Sequence, residues 1–216
     1  MGIRRGSIST PIIADGLVFN MDAANRASYV PDATTSYNTL DLTNSGSLQD
    51  AEMYSSENGG TWVFDGIDDY IDIGSPSIGT GKKTISMWIN PTSITNDDRI
   101  ISNINNINFG VRFATSNVQV WGNSWGSVFA NPSTSTWAHV CFVLKGDATI
   151  TGYLNGVEGS TVSTVYNMSQ LGIGARVNLV HGDEFHGKIA NCQIYNRALS
   201  SNEVLHNYNA LKGRFS

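Results

Sequence analysis

Short apolar runs fenced by turn residues recur from Leu17 to Tyr195, and this spacing constrains the fold more than any other feature of the chain. They read LVFNMD, TWVFDG, YIDIG, TISMWINP, RIISNI, INFGVRF, VQVWG, WAHVCFVL, TITGYLNG, LGIGA and GKIANCQIY. Runs this short, bounded by Asn-, Ser-, Gly- and Pro-rich clusters such as NPSTST, suit strands rather than helices. Exposed helix faces usually draw on Glu, Lys and Arg, yet charged residues make up only 14% of the chain. The expectation is one all-β domain, an antiparallel sandwich of two sheets. At 216 residues such a domain buries roughly 70% of its unfolded surface and needs no covalent staples.

Alternation in TISMWIN places Ile85, Met87 and Ile89 on one face, with Thr84, Ser86, Trp88 and Asn90 on the other. Both faces carry a large apolar side chain, so this strand is expected to be covered on both sides, the outer one by a loop or a partner. Trp62, Trp88, Trp121, Trp125 and Trp137 all fall in or beside strands, where large aromatics fill the ~10 Å between packed sheets. YLNGVEG predicts a hairpin, because Asn155-Gly156 supplies the two positive-φ positions of a type I′ turn. Residues 25–60 read as a long surface excursion with one short strand. The helical signal is confined to SSNEVLHNYNALKG. There Ser200 or Ser201 caps the start, Val204, Leu205, Tyr208 and Leu211 fall at helical spacing, and Gly213 acts as a stop. Residues 1–13 are read as an N-terminal arm and 14–216 as a single domain.

The net charge of −5 argues against nucleic-acid and anionic-membrane binding. Arg4 and Arg5 make the arm locally basic, which marks it either as a partner-docking segment or as a solvated tail. No run is long enough for a signal peptide or a bilayer span, so synthesis in a cytoplasm is expected. Cys141 and Cys192 lie in strand-like runs and read as two buried thiols, with pairing the alternative.

Several segments, in order, resemble the laminin-G-like, concanavalin A-like jelly-roll family: VFDGIDDYIDIG, KKTISMWINP, TWAHVCFVLKGDATITGYLNGVEG and FHGKIANCQIYNRALSSNEVLHNY. The resemblance implies a jelly-roll sandwich with a short C-terminal helix, Trp88 in the core and Pro91 ending its strand. The opening ADGLVFNMDAANRASY is similar to laminin-G-like domains of tailed-bacteriophage structural proteins. That likeness implies a non-enzymatic virion component, made in the host cytoplasm and held to capsid, neck or tail proteins as a homo-oligomer. The alternative it leaves open is a carbohydrate-binding module or adhesin for host-surface polysaccharide.

The family includes β-glucanases, whose acidic residues alternate as Glu-x-Asp-x-Glu along one strand. Glu52, Glu57, Glu158, Glu184 and Glu203 show no such spacing, and Asp68 and Asp72 would lie roughly 13 Å apart along a strand. No catalytic residue is assigned. Laminin-G-like domains often hold one structural calcium, and DLTNSGSLQD is similar to the ligand loop through Asp41, Thr43 and Gly46. Asp65, in the aspartate-rich TWVFDGIDDYIDIG, is the third candidate ligand, although Asp65-Gly66 also reads as a simple turn. Ala190 stands where relatives carry an acid, which weakens the site. HGDEFH, with His181, Asp183, Glu184 and His186, lacks metal-ligand spacing and reads as a polar loop, while His139 reads as a hydrogen-bonded structural residue. For a glycan, VQVWGNSWGSVF offers Trp121, Asn123 and Trp125: indoles that stack on sugar faces and an amide that bonds hydroxyls. Packing of both indoles within the sandwich is the competing reading.

Overall fold

The computed structural model describes residues 11–49, 53–76, 81–106, 108–174 and 183–216. Arg4, Arg5 and His181 lie outside the described residues. The strands are β1 (Leu17–Asp22), β2 (Thr35–Asn38), β3 (Asp41–Leu48), β4 (Trp62–Asp65), β5 (Ile71–Gly74), β6 (Lys83–Pro91), β7 (Arg99–Asn103) and β8 (Gly110–Phe113). They continue as β9 (Asn117–Trp121), β10 (Trp125–Ala130), β11 (Ala138–Leu144), β12 (Thr149–Leu154), β13 (Val157–Ser163), β14 (Leu171–Ile173) and β15 (His186–Tyr195). One helix, α1 (Ser201–Leu211), follows.

Two antiparallel sheets form the expected sandwich. In the first the order is β1-β15-β6-β11-β12-β13, with β4 sharing the edge of β15 beyond β1; in the second it is β10-β9-β8-β7-β14-β5-β3-β2. Consecutive hairpins (β2-β3, β7 to β10 and β11 to β13) alternate with pairings between strands far apart in sequence, such as β1-β15, β15-β6 and β6-β11, so the chain crosses repeatedly between layers. Ile85, Met87 and Ile89 face the interior as the alternation requires, and meet Ile101, Val111, Val120 and Ile173 from the second sheet in one buried cluster. One side of the sandwich is closed by β10. Val128 and Phe129 press on Gly152, and the Phe129 ring stacks 5.8 Å from Phe142.

The outer face of the first sheet is covered by α1 and the tail behind it. Cys141, Val143, Tyr153, Tyr195, Leu199 and Val204 form a second apolar cluster there. Trp88, expected in the core, instead lies on this outer face. It is only 3% exposed because Phe215 stacks on it at 4.3 Å and Tyr208 at 5.6 Å. Ser200 is the cap: its hydroxyl accepts from the Glu203 N–H while the Glu203 carboxylate accepts from the Ser200 N–H, a complete capping box. Gly213 does not stop the chain's turning, which continues as a 3₁₀ turn over Lys212–Arg214. Residues 11–13 of the expected arm are tied down as well: Asn207 accepts from the Ile13 N–H and the Tyr195 hydroxyl donates to the Ile13 carbonyl.

Residues 25–60 are a correction. The stretch holds two paired strands, β2 and β3, which complete the edge of the second sheet. Their inward positions carry Ser36, Asn38 and Gly46 rather than large apolar groups. A Cβ on Gly46 would lie 2.9 Å from both Ile71 and Met21, so only glycine lets this strand approach the core. The Asn38 side chain replaces backbone pairing by accepting from the Asn20 N–H and donating to the Val18 carbonyl. The Asn155-Gly156 hairpin is as expected, with φ of 51° and 78°. Cys141 and Cys192 are both free and buried, and they lie in different apolar clusters. Burial pushes the Cys192 thiol up to about 12 and Cys141 higher still.

Candidate functional site

The second sheet places two rows of side chains on its outer face. Across β7, β8, β9 and β10 the successive partners are Ser102, Gly110, Trp121 and Trp125 in one row, and Arg99, Arg112, Gln119 and Ser127 in the next. The residues between them, Ile101, Val111 and Val120, point into the core. Trp121 and Trp125 are therefore outside the sandwich, both half-buried, with ring centroids 5.0 Å apart and planes tilted by 47°.

The Trp125 indole rests on charge. The Arg112 guanidinium lies 3.8 Å from the Trp125 ring centroid and that of Arg99 lies 5.0 Å away, each such contact contributing roughly 0.5–2 kcal/mol. Arg112 donates to the Gln119 side-chain carbonyl at 2.9 and 3.1 Å and is ion-paired to Asp97. Asp97 and Asp183 stand 3.9 and 3.7 Å from Arg99. Two positive and two negative groups thus hold one another in place beside two aromatic faces, so the patch is stiff and close to charge-balanced. Asn123, the third expected glycan contact, serves the backbone instead. Its side-chain oxygen accepts from the Thr164 hydroxyl and the Val165 N–H, bracing the β9–β10 turn. Arg99, Arg112, Gln119 and Asp97 carry no binding signal in the sequence. The strand alternation puts Gln119 on the Trp121 face, but which strand lies alongside is a matter of register.

The aspartates of the stretch from Thr61 to Gly74 form turn structure first. Asp65 accepts from the N–H groups of Ile67 and Asp68, Asp69 accepts from the Asp65 N–H, and Gly66 has φ of 77°. Carboxylate oxygens of Asp65, Asp68 and Asp69 do come within 4.8 Å of one another. They match calcium in donor type, but one trio supplies three of the six to eight oxygens that calcium takes. The other proposed ligands are elsewhere: Asp41 and Thr43 begin β3 in the second sheet, where both the N–H and hydroxyl of Thr43 bond to the Asp41 carboxylate. Their stretch is a strand, not a ligand loop. Ala190, buried in β15, brings no acid.

Around HGDEFH the described residues are also spent on structure. Asp183 accepts from the Arg99 N–H through its carbonyl, Phe185 is core, and the His186 ring bonds to Ser93. Asp98, whose carboxyl burial pushes above the ordinary aspartate range, caps Thr95 through its N–H and hydroxyl.

A two-sheet antiparallel sandwich with a helix across one outer face and aromatic and polar side chains on the other is a concanavalin A-like architecture. The chain belongs to the concanavalin A-like lectin/glucanases superfamily, whose family model matches residues 65–205. Among solved structures it is similar to domain 4 of AbnA, a GH43 extracellular arabinanase from Geobacillus stearothermophilus in complex with arabinotriose. The TM-score there is 0.67 at 17% identity, over 89% of this chain and 98% of that one. The binding domain of Paraclostridial Mosquitocidal Protein 1 gives 0.68 at 15% identity, over 90% of this chain and 52% of that one. Trypanosoma rangeli sialidase in complex with sialic acid gives 0.69 at 12% identity, over 97% and 37%. The chain thus spans about half and about a third of those two longer structures. At these identities the likeness is one of fold. No protein of curated function matches the chain.

Proposed function

We propose that the domain is a non-catalytic glycan-recognition module whose binding surface is the outer face of the second sheet around Trp121 and Trp125. The observation that carries this reading is the pair of half-buried indoles 5.0 Å apart, of which Trp125 lies on an arginine pair whose charge is balanced by Asp97 and Asp183. Aromatic faces recognise the C–H faces of sugars, while Gln119, Ser127 and the guanidiniums supply hydrogen bonds to hydroxyls. A neutral polysaccharide suits a patch without net charge. The arabinotriose bound to the arabinanase domain makes arabino-oligosaccharides a rational first probe. On a glycan array followed by calorimetry at a temperature where both proteins are folded, Trp125→Ala is expected to lower affinity for any specific hit at least tenfold, and to melt several degrees lower because it loses the Arg99 and Arg112 contacts. No specific hit, or equal affinity of the variant, would sink the reading.

We further propose that the module serves as a decoration or fibre component of a tailed-phage virion, docked in several copies through its N-terminal arm. Support comes from the opening residues, which resemble those of phage laminin-G-like domains. In the fold, Asp22 and Asn25 of that opening shape turns by accepting from the N–H groups of Ala24 and Ala27, and Tyr29 packs on Trp62. Mass spectrometry of purified virions is expected to find the protein at stoichiometric levels; its absence from particles would refute the assignment.

A further inference from the structure

The strand β6 carries one residue that its own alternation says should be apolar. Lys83 shares a face with Ile85, Met87 and Ile89, and its register partner is Leu144, itself fully buried in the core cluster. Lys83 therefore points between the two sheets at one end of the sandwich, where it is only 4% exposed. Its ammonium donates one hydrogen bond, 3.2 Å to the Gly81 carbonyl. No carboxylate lies within ion-pair distance of it among the described residues. Desolvation alone lowers its pKa from the usual lysine range.

The same end of the sandwich holds a cavity of about 370 Å³. Lys83, Tyr166, Met168, Val165, Ala148 and Asn167 line it, with the exposed Gly81 among the lining residues. Tyr166 and Met168 pack on the core and present apolar surface, and the Tyr166 hydroxyl is fixed by the Gly146 N–H. A buried ammonium with one neutral partner carries an uncompensated desolvation cost, which a bound anion would offset. An anion with an apolar or ring-shaped body would also fill the space beside Tyr166 and Met168.

We propose that this end cavity is a binding site for a small carboxylate, with its carboxylate on the Lys83 ammonium and its body against Tyr166 and Met168. The cavity shares no lining residue with the Trp121–Trp125 surface, so either reading can fail alone. The ligand chemistry has two sources, a free organic acid or the acidic sugar end of a glycan, and two probe pairs distinguish them. The full chain is titrated by calorimetry with sodium benzoate against benzamide, and with sodium glucuronate against methyl glucuronate. At least one acid is expected to bind ten times more tightly than its neutral counterpart. Tighter binding of glucuronate identifies the sugar source, and tighter binding of benzoate the free acid. Lys83→Met is expected to abolish the tenfold preference and, because the position faces apolar neighbours, to melt no lower than the parent. A readout on the unaltered chain keeps the test independent of the variant: the preferred acid should slow acetylation of Lys83 by an N-hydroxysuccinimide ester at least fivefold, measured by peptide mass spectrometry. Equal binding of acids and neutral counterparts, an unchanged preference in Lys83→Met, or no protection from acetylation overturns the proposal.

Discussion

Replacing Arg214 with alanine is expected to cost about 3 kcal/mol of stability and to lower the melting temperature by roughly 6–12 °C. The guanidinium ties two chain segments to the C-terminal tail. It donates to both oxygens of Asp22 at 2.8 and 2.9 Å, to the Asn58 carbonyl at 2.6 Å and to the Gly60 carbonyl at 2.6 Å. In return the Asn58 amide donates to the Arg214 carbonyl, and the Asn58 side-chain oxygen accepts from the Trp137 indole. These bonds fasten the C-terminal tail over Trp88 and lock the end of β1 to the 3₁₀ turn before β4. Removal leaves a mostly buried Asp22 carboxylate and two backbone carbonyls without their partner, and unmade bonds of that kind cost more than made ones contribute. Arg214→Lys should restore only part of the loss, since an ammonium cannot present the fork that reaches all three acceptors. Thermal denaturation checks this; a variant melting within a degree of the parent would show that the tail is not fastened by this residue.

Acid is expected to destabilise the protein well above the range in which carboxylates titrate, through His139. The ring is 1% exposed, bonded at 2.8 Å to the Ser86 hydroxyl and enclosed by Trp88 and Tyr208. Burial pushes its pKa down to about 3, against about 6.5 in an unfolded chain. Between those values the unfolded state binds a proton that the folded state refuses, so stability falls as pH falls. The slope approaches about 1.4 kcal/mol per pH unit and the accumulated loss at pH 4 is about 3 kcal/mol. Glu203, held near 2 by its bonds to Arg197 and the Ser200 N–H, adds its smaller share only below the ordinary glutamate range of ~4.3. It contributes about 1 kcal/mol once solvent screening of this partly exposed pair is allowed for. Burial raises the Asp98 carboxyl, which acts in the opposite sense as pH falls, so the imidazole is isolated by the difference between parent and His139→Gln in urea denaturation from pH 6.5 to 4.5. His139→Gln should be less stable at neutral pH but flatter across that window, and an identical slope in parent and variant would reject the assignment.

Both effects rest on pairs that no local pattern announces. Ser86 and His139 are 53 positions apart, and Asp22 and Arg214 are 192 apart. The binding surface is similar: Trp121 and Trp125 are visible as a near-neighbour pair, whereas Arg99, Arg112 and Asp97 join them only because β7, β8 and β9 lie side by side. Asn123 is visible too, yet its amide oxygen serves the Thr164–Val165 segment, since a tight turn must satisfy its own backbone before it can offer groups to a ligand. The β2–β3 pair is hard to read because strands whose inward positions carry Ser36 and Asn38 in β2 and Gly46 in β3 lack the hydrophobic alternation by which strands are recognised.

The sequence by itself determined that the domain is built of short strands, and it fixed the Asn155-Gly156 hairpin, the helix capped at Ser200 and the aspartate turn at Asp65. Each depends on side chains within a few residues acting on their own backbone. Only the tertiary structure decided that Trp88 is covered by Phe215, that Lys83 ends between the sheets, and that two indoles share a face with an arginine pair. Sheet register and helix docking set those meetings, and both are fixed by burial summed over the whole sandwich rather than by any one segment.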